Sequence, residues 1–242
     1  MRIYVMTLLV FLNTLSCSSE DKKHPLPTNT DTIEEMEQDK ERLKYLALGD
    51  SYTIGEGVGS SLRYPVQIAD SLKRRGYSIA SPEIIAVTGW TTSDLKTGIK
   101  TADPRGPYDL VSLLIGVNNQ YRGMDINIYR KEFGELTDQA IFYAGNDTGR
   151  VIVFSIPDWG VTPFASGRDR EKIAGEIDQY NAINQDITLS KGIVWIDVTG
   201  ISRLAEKDET LIAADGLHPS GKMYTEWVRV AVPEIVKMLE EE

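Results

Sequence analysis

The chain of 242 residues predicts a three-layer α/β domain with a parallel sheet at its centre. Two observations carry that prediction. Apolar, β-branched runs of strand length recur at 45–48, 83–87, 110–115, 151–156 and 193–198, and segments with helical apolar spacing separate them. Alternating strands and helices imply parallel strands joined by right-handed helical crossovers. The runs are also near-continuously apolar, which suits a sheet covered on both faces. Residues 43–242 are enough for one domain with a well-buried core, and they contain no internal repeat or low-complexity stretch.

Ahead of that domain, residues 1–16 read as an export signal. Arg2 supplies an early positive charge, Ile3 to Leu12 form an apolar core, and small or polar residues precede Cys17. The apolar core is too short to span a bilayer as a mature helix. The segment Thr14-Leu15-Ser16-Cys17-Ser18-Ser19 resembles a bacterial lipoprotein signal, in which cleavage leaves the cysteine at the new N-terminus to carry lipid. It departs from that pattern at Thr14, where leucine is usual; plain secretion is the alternative. Cys17 is the only cysteine, so neither an intrachain disulfide nor a cysteine metal cluster can form. Residues 17–42 are polar and charged, with Pro25, Pro27 and an acidic run from Glu34, a composition expected to form a flexible tether.

The first strand of the domain ends in Gly49-Asp50-Ser51. A glycine-rich run, Gly55-Glu56-Gly57-Val58-Gly59, follows, and then the helical spacing of Tyr64, Ile68 and Leu72. Open parallel sheets bind ligands outside the carboxyl ends of their strands, so Ser51 falls where chemistry is usually done. The plainer reading is that Asp50 and Ser51 only cap the helix. At the far end, Ala214-Asp215-Gly216-Leu217-His218-Pro219-Ser220 forms a tight loop holding an aspartate and a histidine. A serine hydroxyl needs an imidazole to take its proton, and the imidazole needs a carboxylate to fix its tautomer. Ser51, His218 and Asp215 supply those roles. The other histidine, His24, lies ahead of the domain.

Taken together, Gly49-Asp50-Ser51, Gly89, Gly116-Val117-Asn118-Asn119 and Asp215-Gly216-Leu217-His218-Pro219 resemble the four ordered blocks of the SGNH (GDSL-type) hydrolases. The likeness in order and spacing runs across nearly all of residues 43–242. It implies a serine esterase of flavodoxin-like fold with a five-stranded parallel sheet, in which Ser51 is the nucleophile, His218 the base and Asp215 its partner. The family's oxyanion donors fall on the Ser51 and Gly89 backbone N–H groups and the Asn118 side-chain amide. Preorganised donors of this kind are often the largest catalytic term, about 3 kcal/mol each. One departure concerns the third block, commonly Gly-x-Asn-Asp, which here ends in Asn119; an amide satisfies that loop differently from a carboxylate.

Segments 120–125 and 157–164 follow the third and fourth strands and are expected on the same rim. Candidate substrate contacts are Asp50, Trp90, Asn119, Tyr121, Arg122 and Trp159, with Phe164 beside them. For the aromatics the competing reading is core cover; for Arg122 it is an ion pair with a neighbouring carboxylate. Other chemistries fit poorly. The glycine-rich run lacks the dinucleotide spacing and the P-loop lysine, and Glu56 would oppose phosphate. Two histidines and one cysteine make a histidine- or thiolate-rich metal site implausible, and no cofactor is implied. A net charge of −10 without a basic stripe argues against nucleic acid, and leaves a lipid anchor as the only route to a membrane. No Gly-x-Ser-x-Gly elbow surrounds Ser51. The expected activity is serine-dependent hydrolysis of acyl or acetyl esters of carbohydrates or lipids, outside the cytoplasm. The rivals are a catalytically inactive binding lipoprotein on the same fold and an acyltransferase using a sugar hydroxyl. Oligomeric state has no signature in the sequence.

Overall fold

Each of the five apolar runs forms a strand in the computed structural model, which describes residues 42–240. The export signal expected over 1–16, the lipid-bearing Cys17 and the tether of 17–42 apart from Arg42 lie outside the described residues. The strands are β1 (Tyr45–Gly49), β2 (Glu83–Ala86), β3 (Leu110–Leu114), β4 (Val151–Phe154) and β5 (Val194–Ile196). They pair in parallel in the order β2-β1-β3-β4-β5. Every residue of β1, β3 and β4 is buried, as near-continuous apolar strands require, whereas the edge strands β2 and β5 are partly open. The fifth strand stops short of its expected end at 198. There the Val198 N–H turns away to donate to Ser155 Oγ at 2.8 Å, and Thr199 N–H follows at 3.0 Å, so a side chain replaces the ladder.

The helices are α1 (Ser51–Ile54), α2 (Tyr64–Lys73), α3 (Thr92–Ala102), α4 (Val117–Tyr121), α5 (Ile126–Tyr143), α6 (Arg170–Ser190), α7 (Thr199–Arg203) and α8 (Gly221–Glu240). They fall into two groups: α2 packs on α8, while α3, α5 and α6 pack side by side. In α8 the buried residues Met223, Tyr224, Trp227, Val228, Ala231 and Ile235 recur at three- and four-residue spacing, one apolar stripe of an amphipathic helix. Fully buried Leu46, Leu48 and Phe154 contribute roughly 1.5–3 kcal/mol each through burial alone.

This topology decides where a ligand can sit. The chain leaves β1 for β2 on one side and returns to β3 on the other, and the crevice outside the carboxyl ends of β1 and β3 is the natural binding place. Gly49 makes the turn out of β1 possible. A Cβ there would come within 2.1 Å of Thr53 Oγ1 and 2.4 Å of the Leu114 carbonyl oxygen.

Candidate active site

Ser51 opens the short helix α1 immediately after β1. Asp50 caps that helix, accepting the Tyr52 N–H at 3.1 Å. The Tyr224 hydroxyl of α8 donates to the Tyr52 carbonyl at 2.9 Å, which ties the serine turn to the last helix. Asp50 is wholly buried, and that burial pushes its carboxyl up to about 7 against the opposing hydrogen bonds from Tyr52, its own backbone and Asn118. A residue with no exposed surface cannot touch substrate, so Asp50 is a cap and not the substrate contact the sequence suggested.

The loop before α8 is held by its own aspartate. Asp215 Oδ1 accepts the N–H groups of Leu217 at 2.9 Å and His218 at 3.0 Å, while Oδ2 lies 2.6 Å from His218 Nδ1. Gly216 turns the loop with φ +74°, a left-handed conformation that glycine adopts without penalty. Burial works against ionisation of Asp215. The two backbone N–H bonds and the His218 ring outweigh it and hold the carboxyl below its ordinary value. The glycine-rich run after α1 has a packing role here: a Cβ on Gly57 would sit 2.9 Å from Asp215 Oδ2. His218 itself is 8% exposed, edge-on to Tyr52 at 5.8 Å between ring centroids.

Ser51, Gly89, Asn118 and His218 come together in one cleft of about 160 Å³, walled by Tyr121, Trp159, Phe164 and Leu217. Ser51 and His218 share it without a direct side-chain hydrogen bond between them. Neither the Ser51 N–H nor the Gly89 N–H is committed to a protein acceptor. Asn118 Nδ2 donates to the Trp90 carbonyl at 2.9 Å and lies 3.5 Å from Asp50 Oδ2, so one amide hydrogen is firmly held and the other only loosely.

The remaining candidates divide between cleft and scaffold. Tyr121 and Trp159 line the cleft, and Trp159 is also core: it is 4% exposed and its indole N–H donates to Gln120 Oε1 at 2.8 Å. Arg122 serves the scaffold. Its Nη2 donates to the Gly89 carbonyl at 2.6 Å and Nη1 lies 3.8 Å from Asp94, which steadies the Gly89 loop, and Arg122 does not line the cleft. Asn119 is fully buried, accepting the Thr92 N–H at 3.0 Å and donating to Thr92 Oγ1 at 2.7 Å, so it too is removed from substrate. Trp90 turns away from the cleft. Its ring packs on Gly98, where a Cβ would approach to 2.2 Å, and lines a separate depression of about 480 Å³ between β2 and α3. That depression is larger than the cleft but contains none of Ser51, Gly89, Asn118 and His218. Sequence reasoning overlooked Arg168, whose guanidinium stands over three of the aromatic rings; the signal available was a cation soon after a Phe and a turn-forming Gly167.

A five-stranded parallel sheet with a serine after its first strand and an Asp–His loop ahead of its last helix defines the SGNH class of hydrolase folds. Residues 47–225 match the GDSL-like Lipase/Acylhydrolase family, and the chain belongs to that family of carboxylic ester hydrolases. Among solved structures, it is similar to a lipase/acylhydrolase from Enterococcus faecalis (21% identity, TM-score 0.60, covering 80% of this chain and 95% of that one). A phospholipase A1 from Streptomyces albidoflavus NA297 is alike to the same degree (21%, 0.59, 81% and 99%). A variant of Axe2, an acetyl xylan esterase from Geobacillus stearothermophilus, is also similar (20%, TM-score 0.55, 80% and 94%). At these identities the likeness establishes the fold. No curated protein matches the chain.

Proposed function

We propose that the protein is a serine-dependent hydrolase of acyl or acetyl esters of carbohydrates or lipids, working outside the cytoplasm through an acyl-enzyme. The observation that carries this reading is the convergence of Ser51, Gly89, Asn118 and His218 on one cleft, with His218 Nδ1 tied to Asp215. With Nδ1–H directed at the carboxylate, Nε2 is the basic nitrogen. It takes the Ser51 proton as Oγ attacks the ester carbonyl, and the charge that develops on oxygen is met by the Ser51 and Gly89 N–H groups and the Asn118 amide. The imidazolium then returns its proton to the departing alcohol, leaving an ester on Ser51. Water attacks that ester by the same route and frees the acid and the serine.

Support for the substrate class comes from two directions. Fold relatives include an acetyl xylan esterase and a phospholipase A1, named for an acetylated polysaccharide and a phospholipid respectively. The export-like segment 1–16 and the Cys17 context favour a lipid-anchored protein on the outer side of a membrane, where such esters occur. The test is hydrolysis of p-nitrophenyl esters by the full chain beside Ser51→Ala. Loss of turnover on the order of 10⁶-fold, with the thermal midpoint nearly unchanged, is the expected result. Equal turnover in the variant would sink the assignment.

A further inference from the structure

Three rings from two separate rim segments meet at the cleft wall. Tyr121, at the end of α4, lies 5.4 Å from Trp159 and 6.1 Å from Phe164 between ring centroids, and the latter two are 5.9 Å apart. Such a group needs something to hold it, because Tyr121 and Phe164 are 45% and 40% exposed and carry rotatable side chains. Arg168 does so. Its guanidinium carbon stands 5.3 Å from the Tyr121 and Trp159 centroids and 5.1 Å from that of Phe164, inside the distance at which a cation is attracted to a ring. Nη2 also donates to the Tyr121 hydroxyl at 3.3 Å.

The chain is shaped to deliver this cation. Gly167 takes φ +76°, and the Arg168 N–H closes the turn onto the Ala165 carbonyl at 3.0 Å. Among the described residues Arg168 has no carboxylate partner, so the rings and the Tyr121 hydroxyl are what hold it. Because it does not line the cleft, it braces the rings from outside. The cleft that they bound, about 160 Å³, is well below the roughly 300–1,000 Å³ of ordinary ligand pockets. An acetyl or similarly small acyl group fits such a space; a long chain needs the wall to open.

We propose that Arg168 is a positioning residue that clamps Tyr121, Trp159 and Phe164 into one wall and so restricts the enzyme to esters of short acyl groups. The proposal rests on the ester-hydrolase reading and narrows it to a substrate class. The experiment compares kcat/KM of the full chain for p-nitrophenyl acetate, butyrate and octanoate in wild type, Arg168→Ala, Phe164→Ala and the double variant. Wild type should favour acetate. In Arg168→Ala the octanoate-to-acetate ratio should rise roughly tenfold, the lower end of what a methylene is worth in an apolar pocket. Phe164→Ala should raise the same ratio, and adding Arg168→Ala to it should change little, because the clamp acts through the ring. A ratio unchanged in Arg168→Ala, or a proportional fall for all three esters, overturns the clamp. Those results leave Ser51-dependent turnover intact, whereas turnover that survives Ser51→Ala overturns the hydrolase reading and the clamp with it.

Discussion

Asp50 and Asp215 stand beside Ser51 and His218, and each accepts a backbone N–H from two residues further on, yet their acidities move in opposite directions. Asp50 is sealed beneath the serine turn. Burial dominates there, and one Tyr52 N–H with a distant Asn118 amide cannot offset it, so the carboxyl rises to about 7. The Asp215 side chain keeps 34% of its surface and collects two backbone N–H bonds plus the imidazole, so the hydrogen bonds win. Hydrogen bonding favours the anion at Asp215, whereas burial favours the protonated form at Asp50. The difference suits the proposed chemistry: an anion at Asp215 stabilises the imidazolium, while a full charge at Asp50 would oppose the negative oxygen that forms beside Asn118.

The largest test of that contrast removes the anion that matters. Asp215→Asn should lower kcat for ester hydrolysis by about 10⁴-fold, since an amide leaves His218 in the wrong tautomer; a loss under tenfold would make the Asp215–His218 contact structural only. Next comes the buried carboxyl. Its folded-state value lies above the ordinary 3.8, so between about pH 4 and 7 the folded protein holds more protons than the unfolded chain, and stability falls as pH rises through that window. Asp50→Asn, which keeps the capping oxygen, should therefore gain up to about 4 kcal/mol on the wild type between pH 4 and pH 8 in urea titrations. A difference that does not vary with pH, or that shrinks, would contradict the burial argument. Asp215 has the reverse linkage, and its contribution is lost only as pH falls below the ordinary carboxylate range. The smallest effect comes from adding an acid nearby. Thr92 Oγ1 accepts from Asn119 and donates to Glu132, so Asn119→Asp removes a donor and brings carboxylates together. A stability loss of about 1–3 kcal/mol is expected from thermal denaturation, and none would mean that the loop repacks.

Much of this was visible before the structure. Five apolar runs located five strands because a sheet covered on both faces leaves an almost uninterrupted apolar record. Ser51, Gly89, Asn118 and His218 could be singled out because turn chemistry and block order are written locally, and the structure gathers them at one cleft. The failures have a common cause. Trp90 and Gly89 are chain neighbours, but the ring turns to the gap that Gly98 leaves on α3, and only packing reveals that gap. Asn119 lies next to Asn118 yet serves Thr92, since one turn of α4 points adjacent side chains in different directions. Arg168 was missed because Tyr121, one of its partners, lies 47 residues earlier. Asp50 showed its capping role in sequence, but its unusual acidity depends on how completely the fold covers it.

The tie between the Tyr224 hydroxyl and the Tyr52 carbonyl spans 172 residues. During synthesis the serine turn is therefore among the first parts of the domain to emerge, and the Asp215–His218 loop and α8 are among the last. In the mechanism proposed above, a nascent or truncated chain that lacks them has a serine hydroxyl with no base, wherever else it has folded. Under the proposed mechanism, ester cleavage therefore reports that the first and last segments of the domain have found one another, and a prematurely terminated chain is expected to be inert instead of partly active.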